Sequence, residues 1–158
     1  GHGKQLFRKC VEEAQERGQM LIAQAVNTEQ ALFNQLESLL NQAQVLLATP
    51  DSSIYSSGNV RNILLSTYRF NVPLIGFSAN YVNAGALAAI FASPEQPATQ
   101  SVAILQKIAT HQAWQGAQYS NTFSIALNPQ IARSLDIELP SEAEIRQRMR
   151  HIKRSEYD

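Results

Sequence analysis

Short apolar runs separated by helix-forming stretches are the feature that most constrains the fold of this chain. Three of the runs, at residues 20–26, 45–49 and 73–77, are apolar along most of their length rather than at alternate positions. Runs of this kind are typical of parallel strands that are buried on both faces of a sheet and connected by crossover helices. A fourth run, at 122–127, alternates in character and is expected to be the last strand.

Stretches with helical periodicity lie between these runs. A helix is predicted over 4–17, where Gly18 is a stop signal, and a second is expected to open at Asn27 as its N-cap. Further helices are predicted at about 57–70, 97–110, 129–135 and 141–152, while residues 85–91 fit either a short strand or a tight helix. The order of elements predicts an α/β fold, namely a doubly wound, mostly parallel sheet flanked by helices in three layers.

Composition narrows the classes of function. The 158 residues suit one domain, and 13 basic residues balance 13 acidic ones, which argues against a nucleic-acid-binding protein. The single cysteine, Cys10, excludes an internal disulfide and a zinc site built on cysteines. No signal peptide is visible, and no apolar run reaches the roughly 18 residues of a membrane helix.

The same reading indicates binding rather than catalysis. The three histidines are scattered, and no metal, cofactor or catalytic constellation is expected, because phosphate-binding glycine loops and a nucleophile elbow are missing from the sequence. Polar residues instead follow two of the predicted strands, at the position where ligands bind in open parallel sheets. The first segment gives the candidate ligand-binding residues Asp51, Ser52 and Ser53, and the second gives Ser78, Ala79, Asn80 and Tyr81.

Two interpretations of these residues stay open. The Asp51 carboxylate is suited to a ligand ammonium, and the helix start that follows it is suited to an anion. Alternatively, Asp51, Ser52, Ser57 and Asn80 cap turns and helices and contact no ligand.

Several segments together resemble a protein family. The runs Thr49-Pro50-Asp51-Ser52-Ser53, Asn71-Val72-Pro73-Leu74-Ile75-Gly76 and Val82-Asn83-Ala84-Gly85-Ala86-Leu87-Ala88-Ala89 are similar to the solute-binding proteins of ABC importers with the type I periplasmic binding fold. The run from Phe123 to Pro140 resembles the end of those proteins, where a strand ending in Asn precedes a helix and a Leu-Pro close. The resemblance covers residues 4 to 145.

The resemblance implies that residues 1–158 form a single lobe, the second of a two-lobed protein that holds a small molecule in its cleft. It also implies that Gly85 is a ligand-binding residue. The ligands it implies are amino acids or related organic acids. Segments within 92–152 are expected to cross to the first lobe, so the 97–110 helix is expected to expose an apolar face and form a homodimer. An ABC permease is the implied partner, at a periplasmic or exported, membrane-associated location.

Two other functions remain as alternatives. A ligand-sensing domain of a signalling protein would have the same fold without a permease, and flanking sequence would distinguish the two. An enzyme of the doubly wound class would need an acid–base pair or a cofactor loop.

Overall fold

The structure, a computed structural model, describes residues 2–91 and 123–155 of the chain. It divides into two compact units, Gly1–Gln44 and Val45–Asp158. The predicted helix over 97–110 lies outside the described residues. Whether the chain is a single lobe with segments that cross to another therefore stays a prediction.

The first unit contains two helices, α1 (His2–Glu16) and α2 (Glu29–Leu40). The chain leaves α1 at Gly18, whose φ of 69° is a left-handed conformation that glycine adopts at little cost. Thr28 caps α2 by accepting a hydrogen bond from the Ala31 N–H at 3.2 Å, so the prediction of Asn27 as the N-cap is wrong by one residue. Leu32, Leu36 and Leu40 follow helical spacing and form the buried face of α2.

The prediction of a strand at 20–26 is wrong. The structure gives residues 19–27 no regular secondary structure, and 82% of Met20 is exposed. Apolar character alone does not make a strand, because each strand also needs a neighbour for its backbone hydrogen bonds.

Within its described residues, the second unit is built on a sheet of four strands with helices packed among them. In chain order these described elements are β1 (Leu46–Leu47), α3 (Ser57–Arg69), β2 (Leu74–Gly76), α4 (Ala79–Ala84), β3 (Ala88–Phe91), β4 (Ser124–Leu127), α5 (Pro129–Ser134) and α6 (Glu142–Ser155). The predicted strands at 45–49, 73–77 and 122–127 are thereby confirmed, and 85–91 proves to contain a strand. Ser141 caps α6 by accepting a hydrogen bond from the Glu144 N–H at 3.2 Å.

The four strands lie side by side in the order β1-β2-β3-β4. Strands β1, β2 and β3 are parallel, and β4 runs antiparallel to β3. Leu74, Ala86 and Ala89 are almost fully buried, as are Ile63 and Leu64 of α3. The α/β class with a mostly parallel sheet flanked by helices is thus confirmed.

The shared direction of the first three strands gives the sheet two distinct ends. We call the end where β1, β2 and β3 finish the carboxyl end, and the end where they begin the amino end. Leu127 pairs with Ala88, the first residue of β3, so β4 finishes at the amino end.

Among the described helices, none combines the length and the apolar character that crossing a bilayer requires.

Candidate functional site

The two predicted ligand-binding segments lie at the same end of the sheet. Strand β1 pairs with β2 in parallel register, Leu46 opposite Leu74 and Leu47 opposite Ile75. The Ala48 N–H extends this pairing by donating to the Ile75 carbonyl at 2.9 Å. Residues 50–53 follow β1 and residues 78–81 follow β2, so both segments leave the sheet at its carboxyl end.

Three aromatic rings join the two segments. Tyr55, which follows β1, has its ring centroid 6.1 Å from that of Phe77 and 6.0 Å from that of Tyr81, both of which follow β2. Phe77 and Tyr81 are themselves 4.8 Å apart. The Tyr55 contacts are edge-to-face, a preferred geometry for aromatic pairs. We call these three residues the aromatic cluster, and it shows that the two segments meet.

Gly76 at the end of β2 makes this meeting sterically feasible. A side chain at Gly76 would place its Cβ 2.6 Å from both Cβ and Cγ of Tyr81, a distance that real Cβ atoms do not tolerate. The absence of a side chain therefore lets α4 bring the Tyr81 ring against the end of β2, where Tyr81 is buried.

The Asp51 carboxylate organises its own turn. One of its oxygens, Oδ1, accepts a hydrogen bond from the Ser53 N–H at 2.9 Å and another from the Ser53 hydroxyl at 2.6 Å. These bonds hold the pKa of the Asp51 carboxyl below its ordinary value of 3.8. The side chain is nevertheless exposed, so a carboxylate in a fixed orientation is accessible to solvent at neutral pH.

The phenol hydroxyls of Tyr55 and Tyr81 remain uncharged at neutral pH. Burial raises the pKa of Tyr55 to about 12, and the neighbouring Tyr81 phenol and Asp51 carboxylate add to the effect. Burial also raises the pKa of Tyr81. The carboxyl end of the sheet thus combines one negative charge with hydroxyls that donate and accept hydrogen bonds.

The remaining predicted site residues are placed as follows. Ser52 and Asn80 are exposed, Ala79 is half-buried, and Ser53 is the donor to Asp51. Ser78 is the N-cap residue of α4, although its hydroxyl forms no capping hydrogen bond. Ala79 and Asn80 are the first two residues of α4.

Gly85 is not brought together with these residues. It ends α4 with a φ of 122°, a conformation that explains the glycine without a ligand. The chain then enters β3 at the amino end, where the Leu87 N–H donates to the carbonyl of Leu74, the first residue of β2. Its predicted contact with a ligand would therefore be far from Asp51.

Sequence reasoning missed two members of the aromatic cluster, Tyr55 and Phe77. The available signal was their position, since Tyr55 lies four residues after Asp51 and Phe77 directly precedes Ser78. Within the described ranges, no group of three His, Cys, Asp or Glu side chains is placed to hold a metal ion.

No family model matches the sequence, and no curated protein matches it. Solved structures do share its fold. CD0873, a substrate-binding protein with adhesive properties from Clostridium difficile in its ligand-free, open form, has a TM-score of 0.71 at 21% identity, covering 89% of this chain and 48% of that one. An ABC domain in complex with L-Trp from Streptococcus pneumonia has a TM-score of 0.64 at 15% identity, covering 91% and 48%.

A conserved domain protein from Vibrio cholerae O1 biovar El Tor has a TM-score of 0.65 at 17% identity, covering 89% of this chain and 47% of that one. The chain therefore spans about half the length of these proteins. At these identities the likeness establishes a shared fold.

Proposed function

We propose that this chain is a ligand-binding lobe of a solute-binding protein, and that it captures a small molecule against the carboxyl end of its sheet without transforming it. The observation that carries the proposal is the meeting of the segments after β1 and β2 in the aromatic cluster beside Asp51. The fold shared with a substrate-binding protein and with a domain that holds L-Trp supports it.

The character of this end of the sheet favours capture of a ligand with polar and apolar parts. Binding sites for small molecules combine apolar and aromatic walls with a few polar groups that set orientation. The aromatic cluster offers the wall, while Asp51 and the tyrosine hydroxyls offer the polar groups. A lobe of this kind contacts one side of the ligand, and a second lobe is needed to cover the other.

The finer proposal is that the bound molecule is an amino acid or a related organic acid and that an ABC permease imports it. The protein would then act outside the cytoplasm, at the membrane that holds the permease. Deleting the gene should abolish uptake of the bound compound, whereas unchanged uptake with loss of a cellular response would favour a ligand sensor instead. The homodimer through 97–110 also remains a proposal, and a monomer in light scattering at high concentration would contradict it.

The test of ligand capture uses the full-length protein, because one lobe alone leaves much of the ligand in water. It is screened by thermal shift against amino acids and small organic acids, and affinities are then measured by calorimetry. A ligand that binds the folded state stabilises it by RT ln(1 + L/Kd), where L is the free ligand concentration, so the melting temperature rises with the logarithm of that concentration once it exceeds Kd. Full-length protein that is stabilised by no member of the panel would overturn the proposal.

The contribution of Asp51 is measured with a matched pair of variants. Asp51→Asn keeps an acceptor oxygen but removes the charge, so it should weaken binding of a cationic ligand by roughly 1–1.5 kcal/mol, the difference between a hydrogen bond to a charged group and a neutral one. Glu138→Gln removes one negative charge from an exposed position outside the candidate site and should leave the affinity unchanged. Equal affinities in both variants would exclude Asp51 as a ligand contact.

A further inference from the structure

Tyr55 lies where the two segments of the candidate site meet. Its backbone N–H donates to the Asp51 carbonyl at 2.8 Å, which fixes Tyr55 and Asp51 in one turn after β1. Its ring is nearly perpendicular to that of Phe77, at 87°, and is inclined at 69° to that of Tyr81. A side chain held by its own turn and by two rings from the next segment has little freedom to move.

The ring of Tyr55 differs from other rings of the chain in the charge beside it. Phe70 and Phe123 each have a guanidinium over the ring, from Arg69 at 5.6 Å and from Arg146 at 5.2 Å. Their attraction for a cation is thus satisfied within the chain. Tyr55 instead shares a turn with an acidic residue, because its backbone N–H is bonded to the carbonyl of Asp51.

A carboxylate and an aromatic ring attract a cation by different means, and both are present in this turn. The carboxylate acts through its charge, and the ring through the negative potential of its face. The Tyr55 side chain is only half-buried, so its ring is partly accessible from solvent. Because the two residues share one turn, an ammonium group bound by Asp51 would have an aromatic side chain in the same turn as its carboxylate.

We propose that Tyr55 is a specificity-determining residue of this site, which with Asp51 forms a subsite for the ammonium group of a ligand. The inference rests on the proposed function and deepens it. The Tyr55 ring would favour a ligand with an amino group over the same molecule without one.

The experiment compares ligand pairs that differ only in the amino group. Full-length protein is titrated with the standard L-amino acids and with their desamino analogues, in wild type, Tyr55→Phe and Tyr55→Leu. Tyr55→Leu should reduce the preference for the amino acid over its analogue by roughly twofold to fivefold, the value of a cation–π contact at an exposed site. Tyr55→Phe keeps the ring and should keep most of the preference.

A purely structural role for Tyr55 would lower both affinities by the same factor and leave their ratio unchanged, and that result would overturn this inference alone. If Tyr55→Phe lost as much of the preference for the amino acid as Tyr55→Leu does, the aromatic ring would not be the source of that preference, and the assignment to the ring would be overturned. Wild type that prefers the desamino analogues would overturn the subsite and leave ligand capture intact. Wild type that binds no member of either set would overturn the proposed function and this inference together.

Discussion

The two ends of the sheet use their polar side chains differently. At the amino end, both polar atoms of the Asn128 side-chain amide bond to the protein itself. Its Oδ1 accepts from the Ile131 N–H at 3.2 Å, and its Nδ2 donates to the Val82 carbonyl at 3.1 Å. At the carboxyl end, Asp51 bonds only within its own turn in the contacts described, and its carboxylate stays exposed.

This difference indicates that the polar side chain at the amino end stabilises the fold, whereas the one at the carboxyl end is available to contact a ligand. Asn128 joins α4 to the start of α5 across 46 positions of sequence, so its bonds stabilise the arrangement of elements. Asp51 bonds to a residue two positions away, which stabilises a turn and little else. Substitutions at the amino end should therefore affect stability, and those at the carboxyl end should affect binding and pH dependence.

The largest effect is expected from titration of Tyr55. Its pKa of about 12 in the folded chain exceeds the ordinary 10.0, so between these values the unfolded state loses its proton first and stability falls as pH rises. By pH 11.5 wild type should lose about 2 kcal/mol relative to Tyr55→Phe, at 1.36 kcal/mol per pKa unit. Urea denaturation at pH 8 and 11.5 measures this, and parallel pH profiles for the two proteins would contradict it.

Asn128→Ala should lower the free energy of unfolding by about 1–2 kcal/mol, because the helix cap and the bond to Val82 are both lost. Asn128→Asp keeps the capping oxygen and should lose less. Chemical denaturation gives both values, and calorimetry on full-length protein should find ligand affinity unchanged. A large loss of ligand affinity in a folded Asn128→Ala protein would contradict the assignment of stability to the amino end of the sheet and of binding to its carboxyl end.

The smallest effect is expected from Asp51 in acid. Because its folded pKa is depressed, its stabilisation is fully present above the ordinary value of 3.8 and is lost as pH falls through the folded pKa. Asp51→Asn should therefore melt slightly below wild type at pH 7, and the difference should shrink as the pH is lowered from 7 to 2. A difference that persists undiminished at pH 2 would mean that the charge is not what stabilises the turn.

The sequence predicted the carboxyl end of the sheet well because the relevant signals are local. Apolar runs bounded by turn residues mark β1 and β2, and parallel strands necessarily finish at the same end. The same reasoning failed at 20–26, where an equally apolar run has no strand structure. A strand depends on a hydrogen-bonded neighbour, and no run of residue types specifies one.

The parts of the site that the sequence did not predict depend on contacts between segments. Helix α4 has only six residues, too few to display a helical period, so the sequence does not predict it. Tyr55 and Phe77 acquire their role only when the ends of β1 and β2 are adjacent. The role of Gly76 likewise depends on a contact between elements, because its lack of a side chain matters only where the Tyr81 ring lies against it.

The most direct test of the account is whether the segments after β1 and β2 touch in solution. Nuclear Overhauser effects between the ring protons of Tyr55 and those of Phe77 and Tyr81 report on this, since the ring centroids are 6.1 and 6.0 Å apart. We predict cross-peaks for both pairs in the chain without ligand. Assigned rings with no cross-peak between Tyr55 and either partner would place the two segments apart and contradict a shared site.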